Sequence, residues 1–381
     1  MQPLTAPPRD AYTTAQMTAL LVAPDLEVDF GVELLTPALV LVSDLSSNVP
    51  SAPVVARDNA AGVQGTLTMS ISQALQWGYD RVRPYMLLSS ETVGVSSVRW
   101  NLGVFIMTTP DMPLDPSPTT YSVSGLDQNY LLQDNIQDSR SVPAGADVLT
   151  AVQAALTAAG ILAPVLLDTT AAGKRLVTPL TWPLTSGSSP TWLVVVNALL
   201  AAIGYLPIWT DWNGAFRSGP IIDPSLKPPE WTFKVGDLKT GVVAAARTVS
   251  NDVWSSPNTW RFTQNGLGVP PVEGAGQYTT YNSSTGPSSI ASVGARHAPV
   301  QFLDATSQAD LVTQGDAIKA TAMRVTEVLT LALSPFPAVW NRDTVLYSDP
   351  ALGPDRVAQC RSWSMPLDGS DMSYVLEVVS V

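Results

Sequence analysis

The stretch from Val98 to Leu131, VRWNLGVFIMTTPDMPLDPSPTTYSVSGLDQNYL, decides the fold. It holds two alternating apolar runs, Trp100-Leu102-Val104-Ile106 and Tyr121-Val123. The loop between them carries four prolines, Pro110, Pro113, Pro116 and Pro118. Proline has no backbone N–H to donate to a neighbouring strand, so neither strand continues through this loop. We therefore predict two strands of one antiparallel sheet.

A third strand is predicted upstream of this stretch. The apolar residues Leu67, Met69 and Ile71 alternate with Thr66, Thr68, Ser70 and Ser72, which gives one apolar and one hydroxyl-rich face. Before it, the segment Leu26 to Val42 indicates strand, turn and strand, and ends in the compact apolar run Leu39 to Val42. Together these strands form half of a barrel or sandwich. Residues Thr5 to Ala23 form an arm or a first short element.

A change of period marks a second region. Apolar residues at helical spacing predict a helix from Ala146 to Ala159, ended by Gly160. Ser189 and Pro190 supply a cap and a first-turn proline for a second helix, Thr191 to Ile203. The turn Asp211-Trp212-Asn213-Gly214 then predicts a hairpin. A Pro-rich linker, Ile222 to Glu230, follows this small α+β unit.

The third region is mostly strands with one helix. Trp231 to Val235 and Gly241 to Val249 are strand-like, and a capping box at Ser307 begins a helix that runs through about Arg324. Further strands are predicted at Val325–Leu333, Asp343–Tyr347, Val357–Met365 and Tyr374–Val381. We expect domains at 1–140, 141–230 and 231–381, and a long Gly/Ser-rich surface loop at 266–294. The fold class is α+β, mainly β.

Composition limits the function. The net charge is −12, and the 20 basic residues are scattered, which argues against a protein that contacts nucleic-acid phosphates. Two interpretations of the acidic balance stay open: it confers solubility, or it keeps a wall from adhering to DNA. The single cysteine, Cys360, excludes an internal disulfide. We expect no signal peptide. We also expect no membrane anchor, because the longest apolar run, Trp192 to Ile203, is shorter than the ~20 residues that span a bilayer.

The reactive residue types form no convincing site. His297 is the only histidine, and only Asp304 lies near it in sequence. The carboxylates of Asp127, Asp134 and Asp138 are candidates for glycoside hydrolysis, although chance clusters are expected among 32 acidic residues. Asp211-x-Asn213-Gly214 resembles the start of a calcium loop but lacks the later ligands, so a plain turn is favoured. We predict no catalytic, cofactor-binding or metal site. The pair Trp209 and Trp212 is one candidate for an exposed binding patch, with glycan stacking as its use.

Taken in order, these elements resemble the baseplate hub, or tail-tip hub, proteins of bacteriophage tails. The segments that carry the resemblance are Gly65–Tyr85, Trp100–Thr109 (WNLGVFIMTT), Tyr121–Leu131 (YSVSGLDQNYL), Ala146–Ile161, Trp192–Pro220 and Thr248–Val253 (TVSNDV). Each motif is weak alone, and their order along the chain carries the likeness. The resemblance implies that this chain is a minor tail protein. It also implies two tandem tube-like antiparallel β-barrel domains and a small helix-hairpin middle domain.

The resemblance implies that this chain is a structural protein of the virion and not an enzyme. It implies a homotrimeric hub at the tail tip, made in the host cytoplasm, that forms a ring around the DNA channel and adapts a six-fold tail tube to a three-fold tip. The expected partners are a distal-tail ring or tube protein and a central tip or fibre protein, and genomic DNA passes through during ejection without specific binding. Two alternatives stay open: a hexameric distal-tail ring protein, and a cell-wall carbohydrate-binding protein or glycosidase.

Overall fold

The computed structural model describes residues 1–110, 120–184, 189–222, 224–236, 242–250, 257–265, 270–283, 288–303, 305, 307–323 and 327–379. Several predictions lie outside these residues: the loop prolines Pro113, Pro116 and Pro118, the residue Asp304, and the ends of the strands expected at 325–333 and 374–381. Short 3-10 turns occur at Ser46–Asn48, Gln128–Gln133 and Pro224–Leu226.

The helices and strands follow the three predicted regions. The first region contains α1 (Thr14–Leu21), β1 (Glu27–Leu35), β2 (Leu41–Asp44), β3 (Val54–Asp58), β4 (Gly65–Ile71), β5 (Arg81–Ser90), β6 (Val95–Asn101), β7 (Phe105–Met107) and β8 (Tyr121–Asp127). The second contains β9 (Arg140–Val142), α2 (Val148–Ala158), β10 (Val165–Leu167), β11 (Leu180–Trp182), α3 (Trp192–Ala201), β12 (Trp209–Thr210) and β13 (Phe216–Ser218). The third contains β14 (Trp231–Lys234), β15 (Val243–Ser250), β16 (Thr259–Gln264), β17 (Val272–Glu273), β18 (Gly276–Tyr281), α4 (Ile290–Val293), β19 (Gln301–Leu303), α5 (Gln308–Met323), β20 (Val328–Leu333), β21 (Thr344–Ser348), β22 (Arg356–Pro366) and β23 (Met372–Val378).

One large sheet joins the first and third regions. Its strands run in the order β15-β20-β23-β22-β3-β4-β8-β7-β5-β1-β2, with β21 beside β22, β14 beside β21, and β6 beside β5. The junction is the antiparallel pair β22–β3, in register from Ser362 opposite Asp58 to Pro366 opposite Val54. One buried apolar cluster serves both regions and includes Trp100, Trp340 and Tyr374. The mainly β fold with large antiparallel pairings is thereby confirmed, while the domain boundaries stay a prediction.

The described residues of the stretch from Val98 to Leu131 form antiparallel strands as predicted, with one difference. β4 pairs with β8, and Leu67, Met69 and Ile71 are buried while Thr66 and Thr68 are exposed. The expected single strand from residue 100 to 106 is instead two strands, β6 and β7, both beside β5. The interruption falls at Gly103, whose φ of 106° is left-handed and whose N–H donates to the carbonyl of Trp212 at 3.0 Å. The apolar pattern continues through this break because Leu102 and Val104 are buried all the same.

The middle region has its own core between two helices and small sheets. α2 and α3 are confirmed, and their buried residues include Val152, Leu156, Val196 and Leu200. The predicted cap of α3 was wrong: Thr191, not Ser189, is the capping residue, and its hydroxyl accepts from the N–H of Val194. Pro190 therefore precedes the cap and does not lie in the first turn. Thr191 has the extended backbone that a capping residue needs directly before the helix, so it takes the role from the earlier serine.

An excursion between β15 and β20 forms a self-contained unit, which we call the excursion (residues 257–323). Four strands in the order β17-β18-β16-β19 pack against α5 around Trp260, Phe262 and Leu311. α5 begins after Ser307, whose hydroxyl accepts from the N–H of Asp310 as expected. The predicted loop at 266–294 is wrong in its described residues, which contain β17, β18 and α4. The run Tyr278 to Tyr281 consists of aromatic and β-branched side chains, which favour a strand over the Gly/Ser-rich background.

Candidate functional site

The β12–β13 hairpin of the middle region inserts its tip into the large sheet. We call residues 209–216 the docked hairpin. Its turn is built around Asp211, 1% exposed, whose Oδ1 accepts from the N–H groups of Asn213 and Ala215, both at 2.9 Å. Its Oδ2 accepts from Nε of Arg217 at 2.6 Å. Both carboxylate oxygens are therefore bonded within the hairpin, and the predicted turn is present.

The backbone of the docked hairpin is bound by side chains of β3, of the segment between β20 and β21, and of the 3-10 turn after β8. Arg57 and Trp340 both donate to the carbonyl of Thr210, at 2.9 and 3.2 Å. The Arg57 guanidinium also lies 4.8 Å from the ring centre of Trp340, and burial lowers the pKa of this arginine. Gln128 donates to the carbonyl of Gly214. These bonds satisfy polar groups that insertion would otherwise leave unpaired in the core.

A chain of polar contacts runs from the docked hairpin to the margin of the sheet. Asn101 donates to the side-chain oxygen of Asn213 at 2.7 Å and accepts from Nε of Arg99 at 2.7 Å. Arg99 and Arg83 both pair with Glu33, at 2.5 and 2.6 Å. Burial opposes ionisation of Glu33, but the hydrogen bonds and charges of the two arginines outweigh it and lower the pKa of the carboxyl. Glu33 is therefore charged at neutral pH and holds Arg99 in place behind the hairpin.

The proposed Trp209 and Trp212 patch was wrong. Both rings are half-buried and pack against the large core, and Trp212 meets Trp340 edge to face with ring centres 6.0 Å apart. The sequence marked this turn as a hairpin tip, and tips usually face water. It could not show that the break at Gly103 makes room for the tip inside the sheet.

The other candidates from the sequence are not brought together. Asp127 is buried and accepts from the N–H groups of Gln64, Gly65 and Asn129, whereas Asp134 and Asp138 lie exposed beyond it. Burial raises the pKa of Asp127. His297 is exposed, and its expected neighbour Asp304 is outside the described residues.

Two further findings concern metals and membranes. Within the described ranges, no group of three His, Cys, Asp or Glu side chains is placed to hold a metal. Cys360 is buried among core residues, and burial raises the pKa of its thiol. No helix among the described residues is long and apolar enough to cross a membrane.

The N-terminal residues pack into the same core. Gln2 is buried and donates to the carbonyls of Asn101 and Pro337, both at 2.9 Å. The guanidinium of Arg9 lies 3.9 Å from the ring centre of Trp100, and burial lowers its pKa to about 10. The Met1 amine contacts Glu230 and Asp343. Of the two predictions for this segment, the first short element is the one observed, since α1 follows with a complete capping box at Thr13 and Gln16.

Four strands of the large sheet have only one partner strand in the described residues, namely β2, β6, β14 and β15, and of these β2 and β15 lie at the two ends of its main strand order. Beside β2, Val40, Leu41 and Val42 are 62, 56 and 57% exposed. On β15, Val249 is 43% exposed, and most of the other side chains are exposed too. The sequence correctly indicated strands here, but a compact apolar run is also what a buried strand looks like, so the exposure was not foreseeable. These two edges are the candidate binding surfaces of the chain.

The fold is shared with solved tail proteins. No protein-family model and no curated protein matches the chain. The tail protein from Neisseria meningitidis MC58 is similar, with a TM-score of 0.63 and 14% identity over 91% of this chain and 96% of that one. The 43 kDa tail protein of prophage MuSo2 from Shewanella oneidensis gives a TM-score of 0.60 and 14% identity over 92% and 98%. The chain therefore has the fold of phage tail proteins, in accordance with the resemblance found in its sequence.

Proposed function

We propose that this chain is a structural component of a phage tail tip. In this proposal it is a homotrimeric hub in the virion that surrounds the DNA channel. A distal-tail ring or tube protein lies on one side of the ring, and a central tip or fibre protein lies on the other. DNA leaves through the ring without specific contacts.

The observation that carries the proposal is the large sheet with an unpaired edge at each end. Unpaired edges that expose apolar side chains are a hazard in a monomer but are suitable for contacts between subunits. The fold of known tail proteins supports the same reading, because both similar chains align over nearly their whole length. The acidic balance, −12 over the chain, suits a wall that repels the phosphates of passing DNA.

The test is the mass and symmetry of the purified chain. Light scattering should give three times the 40.4 kDa mass of one chain, and class-averaged electron micrographs should show a three-fold ring around a pore. A six-fold ring would replace the hub with the distal-tail ring protein. A stable monomer over a wide concentration range would contradict both.

A second measurement addresses the cell-wall alternative. The purified chain is incubated with peptidoglycan, and release of soluble fragments and co-sedimentation are both measured. We expect neither, because the three candidate carboxylates do not share a cleft and the half-buried tryptophan pair packs against the core. Release of fragments would overturn the structural role.

A further inference from the structure

We infer that β2 of one copy pairs with β15 of a second copy of this chain, so that the large sheet continues from subunit to subunit. The inference rests on the proposed ring and goes further by naming the two surfaces that meet. It predicts a contact between two different edges, in which every subunit donates one edge and accepts at the other. Such head-to-tail contacts close into rings when the rotation between copies permits.

The β2 edge is apolar where an isolated edge strand is normally protected. Natural edge strands carry lysine, proline or a covering segment, which discourage pairing with other chains. The run Val40-Leu41-Val42-Ser43 has none of these, and all four residues are exposed. Leu41 pairs with Leu35 in the ladder, and Leu35 is fully buried whereas Leu41 is 56% exposed. The core thus stops at β2 with an apolar residue on the same face still in water.

The β15 edge ends the core in the same way at the other end. Val249 pairs with Leu329, which is 1% exposed, while Val249 itself is 43% exposed. Leu331, also buried, pairs with Arg247. β15 is otherwise small and uncharged, with Ala244, Ala245 and Ala246 in sequence. A strand laid along either edge would cover the apolar residue that each edge leaves in water.

Charge favours pairing of the two different edges over pairing of β2 with itself. β2 ends at the exposed Asp44, and no basic residue lies between 26 and 48. β15 carries no acidic residue, and its single charge, Arg247, is paired with Asp349 at 2.5 Å. Like charges on facing strands repel, so two β2 edges would bring carboxylates together. The β15 edge offers the acidic end of a second copy a surface without that repulsion.

The first experiment substitutes one residue on each edge and measures assembly by light scattering across a concentration series. Leu41→Lys and Val249→Lys should each weaken association at least about tenfold, because each places a charge in the apolar contact. The matched control is Leu162→Lys, a substitution at a 67% exposed leucine of the middle region, which should assemble as the wild type does. Circular dichroism and thermal unfolding of all variants establish that they are folded. If only one of the two edge variants folds, its assembly can still be compared with that of the Leu162→Lys control.

The second experiment identifies which edges meet. Cysteines are introduced at Val42 and Val249, singly and together, and treated with a short bismaleimide, which tolerates a small difference in register. Native Cys360 is 2% exposed and gives little background. The double variant should form a ladder of linked chains, while a mixture of the two single variants should form linked pairs and either single variant alone should form none.

The outcomes separate this inference from the proposed function. Linked pairs from the Val42→Cys variant alone would show β2 meeting β2 and overturn the inference. A three-fold ring that tolerates both lysine variants would also overturn it, yet leave the hub intact. A monomeric wild type would contradict the hub. If the wild type is monomeric, cross-linking of the double cysteine variant at high protein concentration would still support the pairing of β2 with β15. Failure of the double variant to cross-link under those conditions would reject that pairing.

Discussion

The docked hairpin and the excursion are attached to the large sheet in opposite ways. The hairpin is short, yet Arg57 and Trp340 both donate to one of its carbonyls, and Trp212 packs on Trp340. The excursion is several times longer, yet it closes a separate core around Trp260, Phe262 and Leu311. The length of an inserted segment therefore does not decide how firmly it is attached. What decides it is whether the segment fills the shared core or builds one of its own.

The largest expected effect comes from filling the space at the hairpin tip. In Gly214→Ala, the new Cβ would lie 2.7 Å from Cγ2 of Val104 and 2.7 Å from Nε2 of Gln128, at a φ of +86°. We expect the free energy of unfolding to fall by about 3 kcal/mol, from backbone strain plus overpacking. Urea denaturation measures it.

The control for this substitution is Gly204→Ala. Its φ is +72°, but nothing lies within 4 Å of the added Cβ, so only the backbone cost of about 1 kcal/mol remains. Equal losses in both variants would mean that the tip is not confined by the sheet.

Removing the hairpin's aromatic contact should have the next largest effect. Trp212→Ala removes the edge-to-face contact with Trp340. It also removes the contact with the Arg217 guanidinium, which lies 5.8 Å from the centre of the Trp212 ring. Because the ring is half-buried, we expect a loss of about 2 kcal/mol, below the range for fully buried tryptophan. Tyr79→Ala, at a 57% exposed aromatic residue, should change stability by less than about 0.5 kcal/mol. Thermal unfolding of the two variants compares them, and similar melting points would argue against docking.

Acid should weaken the hairpin through Glu33. Its folded pKa is lowered, so its stabilising contribution is complete above the unfolded value of 4.5 and is lost as the pH falls from 4.5 through the folded pKa. Glu33→Gln should cost about 1.5 kcal/mol at pH 7, and should make stability less dependent on pH between about 5 and 3. Urea midpoints over this range measure both effects. The control is Glu27→Gln on the exposed part of the same strand, and an unchanged acid response in Glu33→Gln would contradict the polar chain.

The smallest effect on the main unfolding transition should come from the excursion. Leu311→Ala opens a cavity in its separate core and should cost about 2–4 kcal/mol locally. The transition of the large sheet should move by less than about 0.5 kcal/mol, since the two cores are independent. Hydrogen exchange should show faster exchange only within residues 257–323. Leu329→Ala, in the large core, is the matched comparison and should lower the main transition; a similar shift for both would show that the cores are coupled.

Most elements were predictable because their signals are local. The alternation at Leu67, Met69 and Ile71 and the helical spacing in α2 follow directly from which faces are buried. The cap of α3 failed for a local reason as well, since several hydroxyl residues precede that helix and only backbone conformation separates them.

What failed depends on partners distant in sequence. The break at Gly103 is explained only by Trp212, whose carbonyl it binds. The exposure of Val40 to Val42 is a property of their place at the sheet margin and not of their residue types. The site prediction was limited in the same way. The absence of a reactive cluster in the sequence does not say where a binding surface lies, and the two candidate edges, β2 and β15, are defined by the order of strands in the sheet.

The pairing of β3 with β22 has a consequence during synthesis on the ribosome. β3 emerges early, but its partner strand is translated about 300 residues later. At typical elongation rates, one side of β3 stays without its final partner for about 15–60 seconds. The nascent first region must therefore keep a sheet edge open until almost all of the 381 residues have been made. Slower translation of the third region would lengthen that exposure, and crowded polysomes are where premature pairing between neighbouring nascent chains would begin.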